Sequence, residues 1–212
     1  MKLYSSVGPN PRVVRMFMAE RGITVETVDV DIIGGENLTD EFKQLNPSAQ
    51  SPCLALDSGL VLSEITPLCN YLDDVSAGDS LMGATAEEKA ETRMWNRRID
   101  LKVLEPMSLA FRSAEALGLF ENRCHVIPHA ADDLKATVQE SWVWLNDQMA
   151  GKDYVCGDRF TLADIQLYCF ADFGATIGQG VPAELANLQA WLARIGARDS
   201  VPLSLHPSEQ AQ

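Results

Sequence analysis

The stretch from Asn46 to Asp73, NPSAQSPCLALDSGLVLSEITPLCNYLD, contains the signals that decide the fold of this chain. A polar loop ends at Ser51-Pro52, and two short apolar runs follow, separated by the turn Asp57-Ser58-Gly59. Two β-type runs on either side of such a turn predict a hairpin, in which Gly59 is free to adopt a positive φ. Ser63-Glu64 then opens a helix with apolar residues at helical spacing.

Pro52 lies at the predicted start of the first hairpin strand, where a proline removes no ladder hydrogen bond. It either begins that strand after an ordinary trans bond or forms a cis bond, which is inexpensive only before proline. A cis bond would turn the backbone N–H and C=O of Ser51 toward a ligand bound beside the sheet. The residues of this loop alone leave both alternatives open.

The chain before this stretch predicts alternating strands and helices. Residues 2–5 predict a strand, and Asn10-Pro11 predicts a helix start with Asn10 as the N-cap and a proline at the first helical position. Gly22 ends that helix, residues 25–31 alternate as a half-buried strand does, and residues 39–45 predict a short helix. The order β-α-β-α-β-β-α over residues 1–75 indicates an α/β unit, although several α/β arrangements share it.

The chain after this stretch predicts helices only. Residues 76–85 are rich in small residues and predict a linker, and residues 86–212 show helical periods without β-alternation. Pro106 is expected to kink or split a long helix that begins near Glu87. Thr161 and Asp164 have the spacing of a capping box, which predicts a helix start. The residues after Pro202 are expected to be poorly ordered.

Composition excludes several classes of partner. The 212 residues carry a net charge of −13, which argues against nucleic acid and anionic membrane surfaces as partners. Five cysteines without a CxxC pair indicate buried thiols in a reducing compartment, and no signal peptide precedes the first strand, so we expect a cytoplasmic protein. His125 and His129 lie four residues apart, but without a third ligand they favour solvated side chains over a metal site.

The pattern around Pro52 resembles the glutathione-binding half of the cytosolic glutathione transferases, in which a loop ending in a cis-proline precedes a hairpin and a helix led by Glu-Ser. The resemblance is closest to bacterial and fungal members with a Ser-Pro-Asn-type N-terminal loop. Residues 157–164, GDRFTLAD, resemble the helical-domain signature of the same family. The resemblance implies a thioredoxin-like α/β domain at residues 1–75, a linker at 76–85, an all-α domain at 86–212, and a homodimer.

The resemblance also implies where glutathione binds. Ser51, before Pro52, would pair with the cysteinyl backbone, and Gln50 would contact a carboxylate. Glu64 would accept from the γ-glutamyl ammonium, although an acidic residue in the first turn of a helix is also explained by the helix dipole. Ile65 stands where the family has Ser, so it offers a backbone N–H without a hydroxyl, and Thr66 is the nearest substitute.

The thiolate would lie at the start of the first helix, where Ser5, Ser6 and Asn10 are candidate hydrogen-bond donors. Asn10 as a helix cap alone is the alternative for that residue. The loop has no Cys, which argues against a mechanism that uses a protein thiol. A pocket for the second substrate between the domains would use residues of the long helix, although apolar residues at helical spacing are also typical of a core: Met107, Phe111, Arg112 and Ser113.

These features predict a cytoplasmic, homodimeric glutathione transferase that activates the thiolate of its co-substrate glutathione for attack on a hydrophobic electrophile, as in detoxification, without a metal. One alternative is a glutathione-dependent lyase or dehalogenase of narrow specificity. The other is a non-catalytic binding or scaffold protein of the same fold, suggested by Ile65. We expect neither nucleic acid nor a membrane as a partner.

Overall fold

The computed structural model describes residues 1–210 and divides into two compact units. The first unit contains Met1–Ala84 together with the described residues from Asp199 onward, and the second contains Thr85–Arg198. The predicted domain limits placed residues 86–212 in one helical domain. The structure differs at the C-terminus, because polar groups that follow Asp199 bond to residues of the first 30 positions.

The elements follow one another along the chain in the predicted order. Up to residue 84 they are β1 (Lys2–Ser5), α1 (Pro9–Arg21), β2 (Glu26–Asp29), α2 (Asp40–Leu45), β3 (Cys53–Ala55), β4 (Val61–Ser63) and α3 (Ile65–Val75). The second unit has α4 (Ala86–Ile99), α5 (Glu105–Ser113), α6 (Leu117–Phe120), α7 (Ala131–Gln148), α8 (Leu162–Thr176) and α9 (Ala186–Gly196). Two short helices follow, α10 (Ser200–Leu203) and α11 (Pro207–Gln210).

The strands of the first unit form one sheet in the order β2-β1-β3-β4. β1 is parallel to β2, as a βαβ unit requires, and β3 is antiparallel to both β1 and β4. Gly59 has a φ of 87° in the β3–β4 turn, as predicted for the hairpin. Leu3, Phe17 and Leu54 are fully or almost fully buried, so β1, α1 and β3 each contribute to the core of this unit.

The start of α1 differs from the prediction. The helix begins at Pro9 with Gly8 as its N-cap, so Asn10 lies in the first turn and is not the cap. Gly8 has a φ of 106°, a conformation that residues with a Cβ rarely adopt, and Pro9 supplies the fixed φ of a first helical position. The predicted helix end is confirmed, because Gly22 adopts the left-handed conformation there.

The second unit is built from helices, with only isolated β-bridges between residues 154 and 159. The expected disruption near Pro106 is confirmed: the chain winds as a π-helix over Asp100–Leu104 before α5 begins. A proline has no N–H to give to the preceding turn, and a wider turn is one way to accommodate that loss. No helix among residues 1–210 is long and apolar enough to cross a membrane.

Candidate functional site

Strand register brings three connections to one edge of the sheet. Tyr4 pairs with Cys53, and Cys53 pairs with Ser63, so the end of β1, the start of β3 and the end of β4 are neighbours. The β1–α1 loop, the loop before Pro52 and the start of α3 therefore leave the sheet side by side. These are the segments that contain the candidate glutathione-binding residues.

The loop before β3 is held by asparagine side chains. The Ser51-Pro52 bond is cis, which decides between the two alternatives for this proline. Asn46 Nδ2 donates to the carbonyl of Gln50 at 2.8 Å, and Asn37 Nδ2 donates to the carbonyl of Ala49 at 2.7 Å. Within the described part of the chain, no hydrogen bond uses the backbone N–H or C=O of Ser51. That strand-like pair of groups is therefore available to a peptide ligand.

The start of α3 presents polar groups without a side-chain cap. Glu64 is the N-cap, is exposed, and has a φ of 70°, which is uncommon for a residue with a side chain. The first backbone N–H to bond within this helix is that of Leu68, so the N–H groups of Ile65 and Thr66 are among those left open in its first turn. These groups and the helix dipole favour an anionic ligand group beside them.

The start of α1 offers fewer amides than an ordinary helix. Pro9 and Pro11 have no N–H, and the first amide to bond within the helix is that of Arg12. The half-buried side chain of Asn10 has no hydrogen-bond partner among residues 1–210. Asn10 therefore offers both a backbone and a side-chain donor at this helix start.

The two serine candidates lie in a different environment. Ser5 and Ser6 are 3% and 0% exposed. The hydroxyl of Ser5 accepts from Arg15 Nη1 at 3.0 Å, and the hydroxyl of Ser6 donates to the carbonyl of Val7 at 3.1 Å. The Ser6 hydroxyl thus already donates within the loop, and the Ser5 hydroxyl is buried against Arg15 of α1, which favours Asn10 as the group that faces a ligand.

Cys53 follows the cis-proline directly but does not provide a nucleophile. Its side chain is fully buried, and desolvation raises the pKa of the thiol to about 11. At neutral pH the side chain is therefore a neutral thiol. Among residues 1–210 no group of three or more His, Cys, Asp or Glu side chains is placed to hold a metal ion, and His125 and His129 are both exposed.

The residues predicted for the second-substrate pocket all lie in the second unit. Met107 is fully buried, and Ser113 is buried with its hydroxyl accepting from the N–H of Ile127 at 3.1 Å. Phe111 lies edge-on to Phe173, with ring centroids 5.1 Å apart. The guanidinium of Arg112 lies over the ring of Phe120, 5.5 Å from its centroid. Met107 and Ser113 thus contribute to packing within this unit.

Sequence reasoning missed the side chains that hold the site loops. Asn46 and Asn37 were not assigned a role, although asparagine close before a proline-containing loop is a turn signal. Arg15 was also missed, and it bonds both to Ser5 and to the carbonyl of Ser6, the latter at 2.8 Å. No role was assigned to it from the sequence.

Two protein-family models match separate parts of this chain. Residues 7–75 match the family model of the glutathione S-transferase N-terminal domain, and residues 115–199 match that of the C-terminal domain. Residues 200–210 lie beyond both matches.

Solved structures extend the similarity over nearly the whole chain. That of Gtt2 from Saccharomyces cerevisiae has a TM-score of 0.90 at 30% identity, covering 97% of this chain and 100% of that one. A glutathione S-transferase domain-containing protein from Marinobacter aquaeolei VT8 has a TM-score of 0.85 at 34% identity, covering 95% and 100%. The protein LigF of Sphingobium is 30% identical over 95% of this chain and 91% of its own length. These matches confirm the predicted thioredoxin-like α/β domain and the all-α domain.

Proposed function

Since this chain belongs to the glutathione S-transferase family, we propose that its sheet edge binds glutathione and activates the thiol for attack on an electrophilic small molecule. Transferase chemistry with glutathione as co-substrate is the activity of the family. The observation that carries the assignment to this edge is the strand register, because it places the β1–α1 loop, Ser51 and Glu64 on neighbouring strand ends.

Glutathione would lie across these three segments. Its cysteinyl backbone pairs with the N–H and C=O of Ser51, in the manner of a strand added to the sheet. The γ-glutamyl carboxylate accepts from the open amides of Ile65 and Thr66, and the neighbouring ammonium pairs with Glu64. Gln50, which is exposed, would contact the glycyl carboxylate.

The thiol would lie beside Asn10. Lowering a thiol pKa from about 8.5 to about 6.5 requires roughly 2.7 kcal/mol of preferential stabilisation of the thiolate. Two hydrogen bonds from the side chain and backbone of Asn10, together with the dipole of α1, are of that order. Because the two prolines of the first turn have no N–H, the side chain of Asn10 supplies a larger share of the donors to the thiolate than it would at an ordinary helix start.

Ile65 predicts weaker binding of free glutathione. It supplies its backbone N–H to the γ-glutamyl carboxylate but no hydroxyl, and a missing hydrogen bond to a charged group costs roughly 1.5–3 kcal/mol. That loss corresponds to roughly tenfold to a hundredfold in affinity. A second substrate whose contacts add to those of glutathione would compensate for it.

A glutathione-dependent enzyme of narrow specificity is the second candidate. The observation that favours it is similarity to LigF, which is described as a β-etherase and whose structure has a TM-score of 0.79 at 29% identity. A hydrophobic electrophile as second substrate, a homodimeric state, a cytoplasmic location and a role in detoxification are further proposals. Five free cysteines, four of them buried, support a reducing compartment.

The test combines calorimetry of glutathione binding with ultraviolet titration of the bound thiol. We expect Asn10→Ala to raise the pKa of that thiol by about one pH unit or more, because two donors become one. Ser6→Ala is the matched control and leaves this pKa unchanged, since its hydroxyl already donates to Val7.

Absence of binding to the wild-type protein at millimolar glutathione would overturn the proposal in favour of a non-catalytic scaffold. Binding with turnover of a generic aryl halide supports the transferase. Binding without such turnover favours the enzyme of narrow specificity.

A further inference from the structure

The C-terminal segment, defined here as Ser200–Glu209, is built into the first unit. Ser204 and His206 are 0% and 9% exposed, although the residues after Pro202 were expected to be poorly ordered. Ser200 donates from its hydroxyl to Glu20, and His206 Nε2 lies 2.9 Å from Asp29 Oδ1 at the end of β2. The segment is thus fixed near both ends to the first unit, at the C-terminal part of α1 and at the end of β2.

Arg15 connects this segment to the β1–α1 loop. Its Nε donates to the carbonyl of Ser204 at 2.7 Å, while its Nη1 donates to the hydroxyl of Ser5 at 3.0 Å and to the carbonyl of Ser6 at 2.8 Å. Arg12 adds a second contact to the segment, from Nε to the hydroxyl of Ser204 at 3.2 Å. One planar guanidinium therefore joins residues almost 200 positions apart, with donors at fixed angles.

The contacts of Arg15 determine the path of the loop that precedes Asn10. The carbonyl of Ser6 and the hydroxyl of Ser5 both accept from one guanidinium, which restrains the chain where it leaves β1. The carbonyl of Ser5 is used as well, since it accepts from Val30 at 2.8 Å. Hydrogen-bond donors aimed at a developing charge are effective only where such a supporting layer holds them in place.

We propose that Arg15 is a positioning residue for the thiolate site, and that the carbonyl of Ser204 makes the C-terminal segment part of that site. The proposal rests on the function proposed above. Arg15 acts through the loop: it sets the position of Asn10, and the segment sets the position of Arg15. A lysine keeps the charge but cannot reach the Ser204 carbonyl and both loop oxygens at once, because it has a single nitrogen.

The test compares Arg15→Lys with Arg21→Lys. Arg21 is the matched control, because it lies on the same helix and forms a similar network, with Asp73 Oδ1 at 3.1 Å and the carbonyl of Ser76 at 3.3 Å, away from the β1–α1 loop. We expect Arg15→Lys to raise the pKa of the thiol of bound glutathione by about one pH unit. The pH profile of kcat/KM shifts with it, while the KM for glutathione changes less than threefold. Arg21→Lys lowers the melting temperature without moving the profile.

A truncation after Pro202 provides the second measurement, because it removes the Ser204 carbonyl and leaves Arg15 in place. We expect the truncated protein to show a shift in the same direction as Arg15→Lys, and the combined variant to show less than the sum of the two shifts. A loss of stability with an unchanged pH profile in both variants would overturn the inference. So would a shift in Arg15→Lys with none in the truncated protein.

The proposed function and this inference fail in different ways. If the wild-type protein does not bind glutathione or does not acidify its thiol, the proposed function fails. If the wild-type protein does both and neither variant changes the bound thiol, only the role of Arg15 and the C-terminal segment is wrong.

Discussion

The helix starts of α8 and α1 differ in how their polar groups are satisfied. At α8, Thr161 and Asp164 form a capping box, and the buried carboxylate of Asp164 also accepts from the N–H of Val155 at 2.8 Å and from Trp191 Nε1 at 2.9 Å. At α1 the N-cap is Gly8, and no side chain caps the helix. The start of α3 resembles that of α1, since the side chain of its N-cap, Glu64, makes no capping hydrogen bond.

The two kinds of helix start have different consequences: one stabilises the fold, and the other leaves groups that can bind a ligand. A helix start whose donors are satisfied by the chain itself stabilises the unit that contains it. A helix start that leaves its donors open forgoes that stabilisation, and the open groups are available to an anionic ligand. In this protein the satisfied start of α8 lies in the helical unit, and the open starts lie at the candidate glutathione site.

The largest effect is expected at the satisfied helix start. Asp164→Asn places an NH₂ group where the carboxylate accepts from Thr161, so a buried donor loses its partner. We expect the free energy of unfolding at neutral pH to fall by about 2–4 kcal/mol, measured by urea denaturation. Asp133→Asn, in the first turn of α7, is the exposed control and changes it by less than about 0.5 kcal/mol.

The pH dependence of the same variant is part of this test. Burial raises the pKa of Asp164 from 3.8 to about 6, so the folded protein takes up a proton before the unfolded chain does. Its contribution to stability is therefore complete below the unfolded value and is lost as the pH rises through the folded value. The stability difference between wild type and Asp164→Asn should grow by about 3 kcal/mol as the pH falls from 6 to below 4. A constant difference would show that this carboxyl is not buried as described.

A smaller effect is expected at the cap of α1. Gly8 combines a φ of 106° with a ψ of 169°, a region that is essentially restricted to glycine, and a Cβ there would meet no atom within 4 Å. Gly8→Ala should therefore cost about 1–3 kcal/mol through backbone strain alone. Gly59→Ala is a matched control with a φ of 87° and equally open surroundings in the hairpin turn. We expect both variants to lose stability, but only Gly8→Ala to weaken glutathione binding in calorimetry. Equal glutathione affinities of the two variants would show that the start of α1 is not part of the binding site.

The smallest effect is expected at the cap of α3. Glu64→Gln removes a charge from an exposed side chain, so the free energy of unfolding should remain unchanged. Glutathione affinity should fall about fivefold to tenfold, because an ion pair with the γ-glutamyl ammonium is lost. Glu41→Gln, an exposed acidic residue in the first turn of α2, leaves the affinity unchanged. Similar affinities for the two variants would favour the helix-dipole explanation of Glu64.

Local patterns explain why much of the fold was predictable. Gly22, Gly59 and the Thr161–Asp164 pair act on residues within four positions of themselves, and the structure confirms all three. The start of α1 was misplaced by two residues, because Asn10-Pro11 and Gly8-Pro9 offer competing signals and only backbone geometry selects between them. Glu64 at the helix opening was also recognised from sequence, although its positive φ was not.

The sequence by itself determined the alternation of strands and helices, the hairpin after Pro52 and the capping box of α8, because each depends on neighbours along the chain. Only the tertiary structure decided that the Ser5 hydroxyl accepts from Arg15 while the Ser6 hydroxyl donates to Val7, and that Ser204 shares the guanidinium of Arg15 with the β1–α1 loop. Those contacts join positions up to 189 residues apart. No local periodicity encodes such a contact, since it exists only when the core of the first unit has brought α1 and the C-terminal segment together.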